Sequence, residues 1–301
     1  MASIAYSGAW RLELDTALAA GKAAESLILD FYNSASAETY TKQDGSVVTD
    51  ADLAADRTIR EVISLAFPDD ALLTEEGARD LHRLRNPRVW IVDPIDGTAE
   101  FVKRTGLFDV MIALAVAGRP VVAVSVSPVG RRTQAAVLGA GAWEIRDDRV
   151  YPLAIDKPAQ PPRLVTSKWY GGYEPERGSA VRRIATRLGA PEPPVLEVGY
   201  QARAFSPVER TYDAYIGLPS SASGSIAQEW DLACVDLITH EAGGALTDCW
   251  GRLHRYNKRS TGISGGVLAS ARPALQQRLV AAIAPELPSE PPAEDPADDG
   301  L

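Results

Sequence analysis

The chain has 301 residues, of which 46% are hydrophobic and 24% are charged, with a formal net charge of −9 and an isoelectric point near 5.0. No apolar run approaches the ~20 residues that cross a bilayer, which predicts a soluble globular protein of one large or two modest domains, not bound to a membrane. The negative charge is opposite to the basic surface that binds a nucleic acid polymer, so the expected ligand is a small molecule.

The first residues lack a basic region followed by an apolar block, so no secretion signal is predicted and the cytoplasm is the expected location. Two cysteines, Cys234 and Cys249, and three scattered histidines give neither a disulfide framework nor a zinc-binding spacing. Cys234 is expected in the core, and His240 is expected to be structural. His82 and His254 lie in polar surroundings and are expected at the surface. Any bound metal must therefore be held by oxygen.

In chain order, two amphipathic helices are predicted first. Apolar residues recur at helical spacing between Leu14 and Phe31, and again between Ala55 and Ala66. The polar stretch between them is predicted to be a loop or hairpin, with Asp50 capping the second helix. Six strand-like runs separated by short Gly or Pro punctuation then follow, which predicts a sheet meander.

Proline density around residues 151–163 marks a boundary, beyond which strands and helices alternate. The predicted fold class is therefore α/β, with an α+β half at residues 1–155 and an α/β half at residues 156–284. Residues 285–301 are rich in proline and acids and are predicted to be disordered.

Two carboxylates end the apolar strand in WIVDPIDGTAEF, residues 90–101. Pro94 forces Asp93 into an extended conformation, and the turn that follows can bring Asp93 and Asp96 to the same side of the strand end. Two carboxylates so close repel each other unless a cation or a proton lies between them. The alternative is local capping, in which Asp93 caps a turn and Asp96 caps the helix that starts near Thr98.

Further acids favour a metal site. Glu75 and Glu76 also end a short apolar strand, and Asp231 lies at the start of a predicted helix. Hard oxygen ligands from several strand ends suit Mg²⁺, which prefers carboxylates, water and a substrate phosphate. Gly97 and Thr98 at a helix start offer backbone N–H groups and a positive dipole end for that phosphate.

Four motifs resemble the lithium-sensitive, Mg²⁺-dependent phosphatase superfamily of inositol monophosphatases, fructose-1,6-bisphosphatases and 3′(2′),5′-bisphosphate nucleotidases. In order, they are VVTDAD, TEE, VDPIDGT followed by EF, and EWDLACVDLITHEAGGALTD. The resemblance implies a layered αβαβα sandwich and a metal-dependent phosphoric monoester hydrolase that acts on a small phosphorylated metabolite. It also implies two or three Mg²⁺ ions, with Mn²⁺ as an alternative, and leaves a homodimer open.

Carried over to this sequence, the resemblance implies that Glu75, Asp93 and the carbonyl of Ile95 hold a first metal. Asp93 would bridge to a second metal, which Asp96 and Asp231 also bind. Two cations about 3.5–4 Å apart can clamp the attacking water and the leaving oxygen of an in-line phosphoryl transfer.

The resemblance also implies a catalytic group of Asp52, Thr98 and Glu75. Thr98 would orient the nucleophilic water, with its hydroxyl polarised by Asp52. Glu76 would lie outside the direct metal ligands. Lys42 matches a lysine near the family's site, with a solvated loop lysine as the alternative.

The segment GTAEFVKRTGLFDVMIALA, residues 97–115, looks more like the nucleotidase branch than like inositol monophosphatases, and Tyr-Asn-Lys at 256–258 points the same way. Within this interpretation Arg203 would contact a second phosphate and Glu229 a ribose or inositol hydroxyl. The remaining predicted substrate contacts are Gly97, Thr98 and Asp231.

The predicted reaction is removal of the 3′-phosphate from 3′-phosphoadenosine 5′-phosphate. An inositol-1-monophosphatase or other sugar monophosphatase is the first alternative. A non-catalytic member that binds a phosphorylated ligand is the second.

Overall fold

The computed structural model describes residues 4–41, 47–77, 80–167, 175–193, 195–196, 211–219 and 227–292. Helix α1 (Arg11–Ser34) is joined to helix α2 (Asp50–Ala66) through the antiparallel pair of strand β1 (Thr39–Thr41) and strand β2 (Val47–Thr49). These elements are the predicted pair of helices and the predicted hairpin. None of the helices in the described residues is long and apolar enough to span a bilayer.

A seven-stranded sheet follows, with its strands in sequence order from edge to edge. Only the first pair is parallel, and a 3-10 helix (Leu81–Arg85) lies in its crossover; every later pair is antiparallel. The meander is thus confirmed, with one more strand than the sequence indicated. The strands are β3 (Ala71–Thr74), β4 (Arg88–Asp96), β5 (Asp109–Val116), β6 (Arg119–Ser127), β7 (Arg132–Val137), β8 (Gly141–Arg146) and β9 (Arg149–Leu153).

The strands of the second half of the chain are β10 (Leu164–Ser167), β11 (Val195–Leu196), β12 (Ala214–Gly217), β13 (Ala227–Gln228), β14 (Ala245–Thr247), β15 (Gly262–Ile263) and β16 (Val267–Ser270). Five of them form a sheet in the order β11-β10-β12-β16-β14, and β13 and β15 form a separate pair. Strands β10, β11 and β12 are parallel, and β16 is antiparallel to both of its neighbours. The helices are α4 (Pro175–Leu188), α5 (Glu229–Glu241) and α6 (Pro273–Ile283), and a short helix α3 (Thr98–Val102) follows β4.

The side chains of β4 point alternately to the two faces of the large sheet, which shows how the layers of the fold form. Trp90 and Val92 pack with α1 and α2 on one face of the large sheet, whereas Val89 and Ile91 pack with α5 on the other. Beyond α5, one face of the five-stranded sheet joins the same core, and its other face packs on α4 and α6. The result is the layered αβαβα sandwich that the sequence predicted, with α5 as its central layer.

The predicted environments of the histidines are only partly correct. His240 is structural, because its Nδ1 lies 2.8 Å from Asp236 Oδ1. His82 is exposed, as expected. His254 is only 6% exposed, so its prediction as a surface residue is wrong. Cys234 is buried, and burial raises its thiol pKa, which suits a core residue.

The chain remains folded past residue 284, where the tail was predicted to begin at the next position. Residues Ala284–Glu286 form a 3-10 helix, and the Glu286 carboxylate pairs with Arg183 at 2.5 Å and Arg187 at 2.6 Å. Glu286 is thus held against α4. The prediction of disorder is therefore wrong at the start of residues 285–301. Residues 293–301 lie outside the described part of the chain.

Candidate active site

Glu75 and Asp93 are brought together by β3 and β4, the parallel pair of the seven-stranded sheet. Thr74 at the end of β3 is in register with Val92 of β4, and the Glu75 N–H donates to the Val92 carbonyl at 3.1 Å. The residue that follows each of these positions therefore lies at the same edge of the sheet. Glu75 and Asp93 are those residues.

A bulge at the end of β4 separates Asp93 from Asp96. Asp93 pairs with Met111 and Asp96 with Asp109, so β4 advances three residues while β5 advances two. The extra residue in β4 changes the direction in which the side chains at the end of the strand point. Asp93 Oδ1 also accepts from the Ile95 N–H at 3.0 Å, which closes the turn. Gly97 then takes φ +99°, a left-handed conformation that favours glycine, and α3 begins at Thr98.

Asp231 reaches the same point from helix α5. It is the third residue of the helix, and its carboxylate accepts from the Gln228 N–H at 2.7 Å, which fixes the first turn. Oxygens of Asp93, Asp96 and Asp231 all lie within 4.8 Å of one another, and all three residues are buried. The capping alternative is half right: Asp93 caps a turn, whereas Gly97 is the N-cap of α3 and no side chain caps that helix.

Burial and mutual repulsion make this cluster electrostatically costly without a cation. Burial raises the pKa of Asp93 well above its usual value, and the charges of Glu75, Asp96 and Asp231 raise it further. Burial likewise raises the pKa of Asp231 to about 7. A buried set of carboxylate oxygens is the donor set of a hard divalent ion such as Mg²⁺, so the residues present fit the metal.

Thr98 and Asp52 form a pair beside the cluster. The Thr98 hydroxyl donates to Asp52 Oδ1 at 2.9 Å and also lies 3.2 Å from the Ile95 carbonyl oxygen. The other oxygen of Asp52 accepts from Thr49 N at 2.8 Å and from Thr49 Oγ1 at 2.5 Å. Thr49 is therefore the N-cap of α2, and the predicted capping role of Asp50 is wrong. The Asp52 carboxylate therefore takes part in the capping box of α2 and also accepts the hydrogen bond from Thr98.

Sequence reasoning did not single out Asp109. It is 5% exposed, lies opposite Asp96 in the β4–β5 pair, and accepts from the Ser125 hydroxyl at 3.0 Å. Its carboxylate thus adds negative charge close to the cluster. The signal was available, because a charged residue interrupts the apolar pattern at the start of a central strand.

Glu229 lies in a different environment from the one predicted. It is fully buried, Oε1 accepts from Lys258 Nζ at 2.8 Å and from Lys258 N at 2.9 Å, and Oε2 accepts from Asn257 N at 2.6 Å. Tyr256 is also buried and donates to Asp236 at 2.7 Å. Residues 256–258 are thus packing partners of α5. The substrate contact proposed for Glu229 stays a prediction that this geometry does not favour.

The Glu229 carboxylate therefore gives a stability prediction. Glu229→Ala leaves the Lys258 ammonium and two backbone N–H groups without their acceptor, so we expect the free energy of unfolding to fall by roughly 3 kcal/mol in urea denaturation. Glu192, which is 69% exposed and pairs with Arg182 at 3.5 Å, is the control. Glu192→Ala should change stability by less than about 0.5 kcal/mol. Equal effects of the two changes would contradict the structural role of Glu229.

The remaining predicted site residues differ in where they lie. Glu75 and Glu76 are half-buried, and Gly97 lies at the start of α3. The Ile95 carbonyl, a predicted metal ligand, lies at the bulge between Asp93 and Asp96. Arg203 and Lys42 lie outside the described residues.

A layered sandwich with clustered carboxylates at one sheet edge defines the class of metal-dependent phosphomonoester hydrolases. Residues 11–287 match the inositol monophosphatase family, and the chain belongs to that family. Its members are phosphatases, generally dependent on magnesium, that act on small phosphorylated substrates.

Relatives with different printed activities are similar to this chain. A histidinol-phosphatase of Chlorobaculum parvum is 33% identical over 271 residues, which covers 90% of this chain and 96% of the relative. The 3′(2′),5′-bisphosphate nucleotidase CysQ of Salmonella typhimurium is 32% identical over 241 residues, or 79% of this chain and 92% of the relative. The solved structure of the extragenic suppressor protein SuhB from Bartonella henselae matches with a TM-score of 0.71 and 22% identity, covering 91% of this chain and 99% of that one.

Proposed function

We propose that Glu75, Asp93, Asp96 and Asp231, together with the Ile95 carbonyl, hold two Mg²⁺ ions, and that the cluster hydrolyses a phosphomonoester. The observation that carries the proposal is the convergence of three buried carboxylates within 4.8 Å, from two separate parts of the chain. When bound, magnesium supplies charge neutralisation for the phosphoryl oxygens and a more acidic water. A ligand-binding protein without catalysis has no need for the Thr98–Asp52 pair beside such a cluster.

Thr98 and Asp52 are proposed to orient the nucleophilic water. The Thr98 hydroxyl gives its hydrogen to Asp52 at 2.9 Å, so its oxygen lone pairs are left to accept a hydrogen from water. Because Asp52 is itself fixed by two bonds from Thr49, the hydroxyl is held in one orientation. Thr98 thereby sets where the water's own lone pair points.

Gly97 and Thr98 are proposed to bind the phosphate through the backbone. The Gly97 carbonyl accepts from Glu100 N and Phe101 N, both at 2.9 Å, so the first turn of α3 is tightly closed. The N–H groups that open a helix have no partner within it and can donate to phosphoryl oxygens.

For the substrate, we propose a nucleotide with phosphates at both the 3′ and 5′ positions, of which the 3′-phosphate is removed. The segment at 97–115 and the 32% identity to CysQ support this choice. The segment at 256–258 gives no support, because its residues bond Glu229 and Asp236. Histidinol phosphate is a second candidate, since the histidinol-phosphatase relative aligns over 90% of this chain.

Turnover of three substrates in parallel tests the assignment. We expect kcat/KM for 3′-phosphoadenosine 5′-phosphate to exceed that for inositol 1-phosphate and histidinol phosphate by at least about tenfold. The nucleotide has a second phosphate dianion, which can bind a cationic side chain outside the metal cluster. Arg203→Ala should shrink this preference and leave monophosphate turnover nearly unchanged. Preference for either monophosphate would replace the nucleotidase assignment. No turnover of any of the three with Mg²⁺ would contradict the phosphatase proposal.

A further inference from the structure

A buried arginine joins the first half of the chain to the second. Arg83 is only 4% exposed and lies in the 3-10 helix Leu81–Arg85, within the connection from β3 to β4 that begins at Glu75. Its Nη1 donates to Asn257 Oδ1 at 2.6 Å, and its Nη2 donates to the Lys258 carbonyl at 2.8 Å. The Asn257 side chain donates back to the Arg83 carbonyl at 3.1 Å. The guanidinium and the amide therefore hold each other in one arrangement.

Asn257 and Lys258 also contact the first turn of α5. Asn257 N donates to Glu229 Oε2 at 2.6 Å, and Lys258 donates to Glu229 Oε1 from its backbone N at 2.9 Å and from Nζ at 2.8 Å. Glu229 is the first residue of α5, and Asp231 of the carboxylate cluster is the third. Hydrogen bonds thus connect Arg83 to the turn of α5 that carries Asp231.

The charges and the backbone at this junction support the same connection. Burial lowers the pKa of the Arg83 guanidinium, and the nearby charge of Glu229 counteracts that shift. Asn257 takes φ +62°, a left-handed conformation that asparagine adopts more readily than most residues. In this conformation its N–H contacts Glu229 while its side chain contacts Arg83. The junction is therefore built so that Asn257 bonds both elements at once.

The first turn of α5 needs such support because it carries a carboxylate that its neighbours repel. Oxygens of Asp231, Asp93 and Asp96 lie within 4.8 Å of one another, although Asp93 and Asp96 belong to β4. Without a cation, repulsion between these groups favours movement of α5 away from the edge of the sheet. The bonds of Arg83 oppose that movement, because they tie the first turn of α5 to the connection that follows β3.

We propose that Arg83 is a positioning residue for the metal site, and that it acts through Asn257 and Lys258 to hold Asp231 where it binds a cation. This inference rests on the proposed function of the carboxylate cluster. Loss of the Arg83 contacts leaves fewer molecules with Asp231 in place before metal binds, so the apparent affinity for Mg²⁺ falls by that fraction. Turnover at saturating Mg²⁺ should change little, because the bound cations restore the position of Asp231.

Titration calorimetry of Mg²⁺ into the full chain without substrate tests the proposal. We expect Arg83→Met to raise the Mg²⁺ dissociation constant by about tenfold, as other changes behind a metal ligand do. Arg88→Met is the matched control. Arg88 also bonds two separate segments, with Nε 2.7 Å from Asp70 and Nη2 3.0 Å from Glu13, but it lies at the opposite end of β4 from the cluster. Arg88→Met should change the dissociation constant by less than about twofold.

Asn257→Gly removes the other side of the contact. Glycine readily adopts the left-handed backbone of this position and keeps the N–H that donates to Glu229, so only the amide contacts with Arg83 and Asn86 are lost. We expect a similar rise in the dissociation constant, and no further rise beyond about twofold when Asn257→Gly is added to Arg83→Met. Circular dichroism melting in excess chelator reports whether each variant folds, and Asn257→Gly tests the proposal even if Arg83→Met does not fold.

The outcomes separate this inference from the proposed function. No binding of Mg²⁺ by the unaltered chain would overturn the metal site and, with it, the role of Arg83. Binding by the unaltered chain that neither Arg83→Met nor Asn257→Gly weakens would overturn the role of Arg83 alone. Additive effects of the two changes, or an equal effect of Arg88→Met, would assign the weaker binding to a general loss of stability and would also contradict the positioning role.

Discussion

Asp93→Asn is expected to lower kcat by at least about a hundredfold at saturating Mg²⁺, a loss of ~3 kcal/mol of transition-state stabilisation. Asp93 is 2% exposed, lies at the centre of the carboxylate cluster and is the residue proposed to contact both cations. The amide keeps the shape of the side chain but removes the charge that the ions share. Retention of more than about a tenth of the turnover would contradict the assignment.

The stability of the same variant distinguishes catalysis from folding. Without metal, the native cluster holds several like charges in a buried place, so removing one relieves repulsion. In excess chelator, Asp93→Asn should therefore melt at the same temperature as the unaltered protein or higher. Asp15→Asn, at a surface pair with Arg11, is the matched control and should change neither turnover nor melting. A lower melting temperature for Asp93→Asn would attribute its lost activity to misfolding.

Metal removal is expected to have the largest effect of all. Excess chelator should abolish turnover, and Mg²⁺ should restore it, whereas Ca²⁺ should not, because its larger radius and looser coordination do not suit the same carboxylate geometry. Mg²⁺ should also raise the melting temperature, since it binds the assembled cluster and not the unfolded chain. Asp93→Asn should lose most of that rise. Full activity in excess chelator would contradict the metal mechanism.

The sequence predicted the position of the acidic cluster because most of its geometry is local. Asp93 and Asp96 lie three residues apart around a proline turn, and Glu75 directly follows β3, the strand that runs parallel to β4. The large sheet could also be predicted from the sequence, because each antiparallel strand follows the previous one through a short turn. The layered fold required the resemblance to a known superfamily, since periodicity alone does not say which face of each sheet packs on α5.

The errors concern contacts that local patterns do not contain. Asp50 and Thr49 are both good helix caps, but the capping box that forms joins Thr49 and Asp52: the Thr49 hydroxyl accepts from Asp52 N, and the Asp52 carboxylate accepts from Thr49 N. The substrate contact of Glu229 stays a prediction, but the bond between its carboxylate and Lys258, 29 residues further along the chain, is a contact that the local sequence does not reveal. His254 is buried although its sequence neighbours are polar, because the chain around it packs against the start of β6: the His254 carbonyl accepts from Arg119, and the Tyr256 N–H donates to the Gly118 carbonyl.

The central position of α5 also determines when the protein can become active during synthesis. Asp231 lies more than a hundred residues after Asp96, so a growing chain makes the whole seven-stranded sheet before the last of the proposed metal ligands leaves the ribosome. Domains tend to fold from the amino end as they emerge, and contacts between distant residues form late. Until α5 packs against the sheet, Glu75, Asp93 and Asp96 occupy an open edge where water screens their repulsion. The electrostatic free-energy cost of bringing the carboxylates together therefore arises only after the rest of the core has formed.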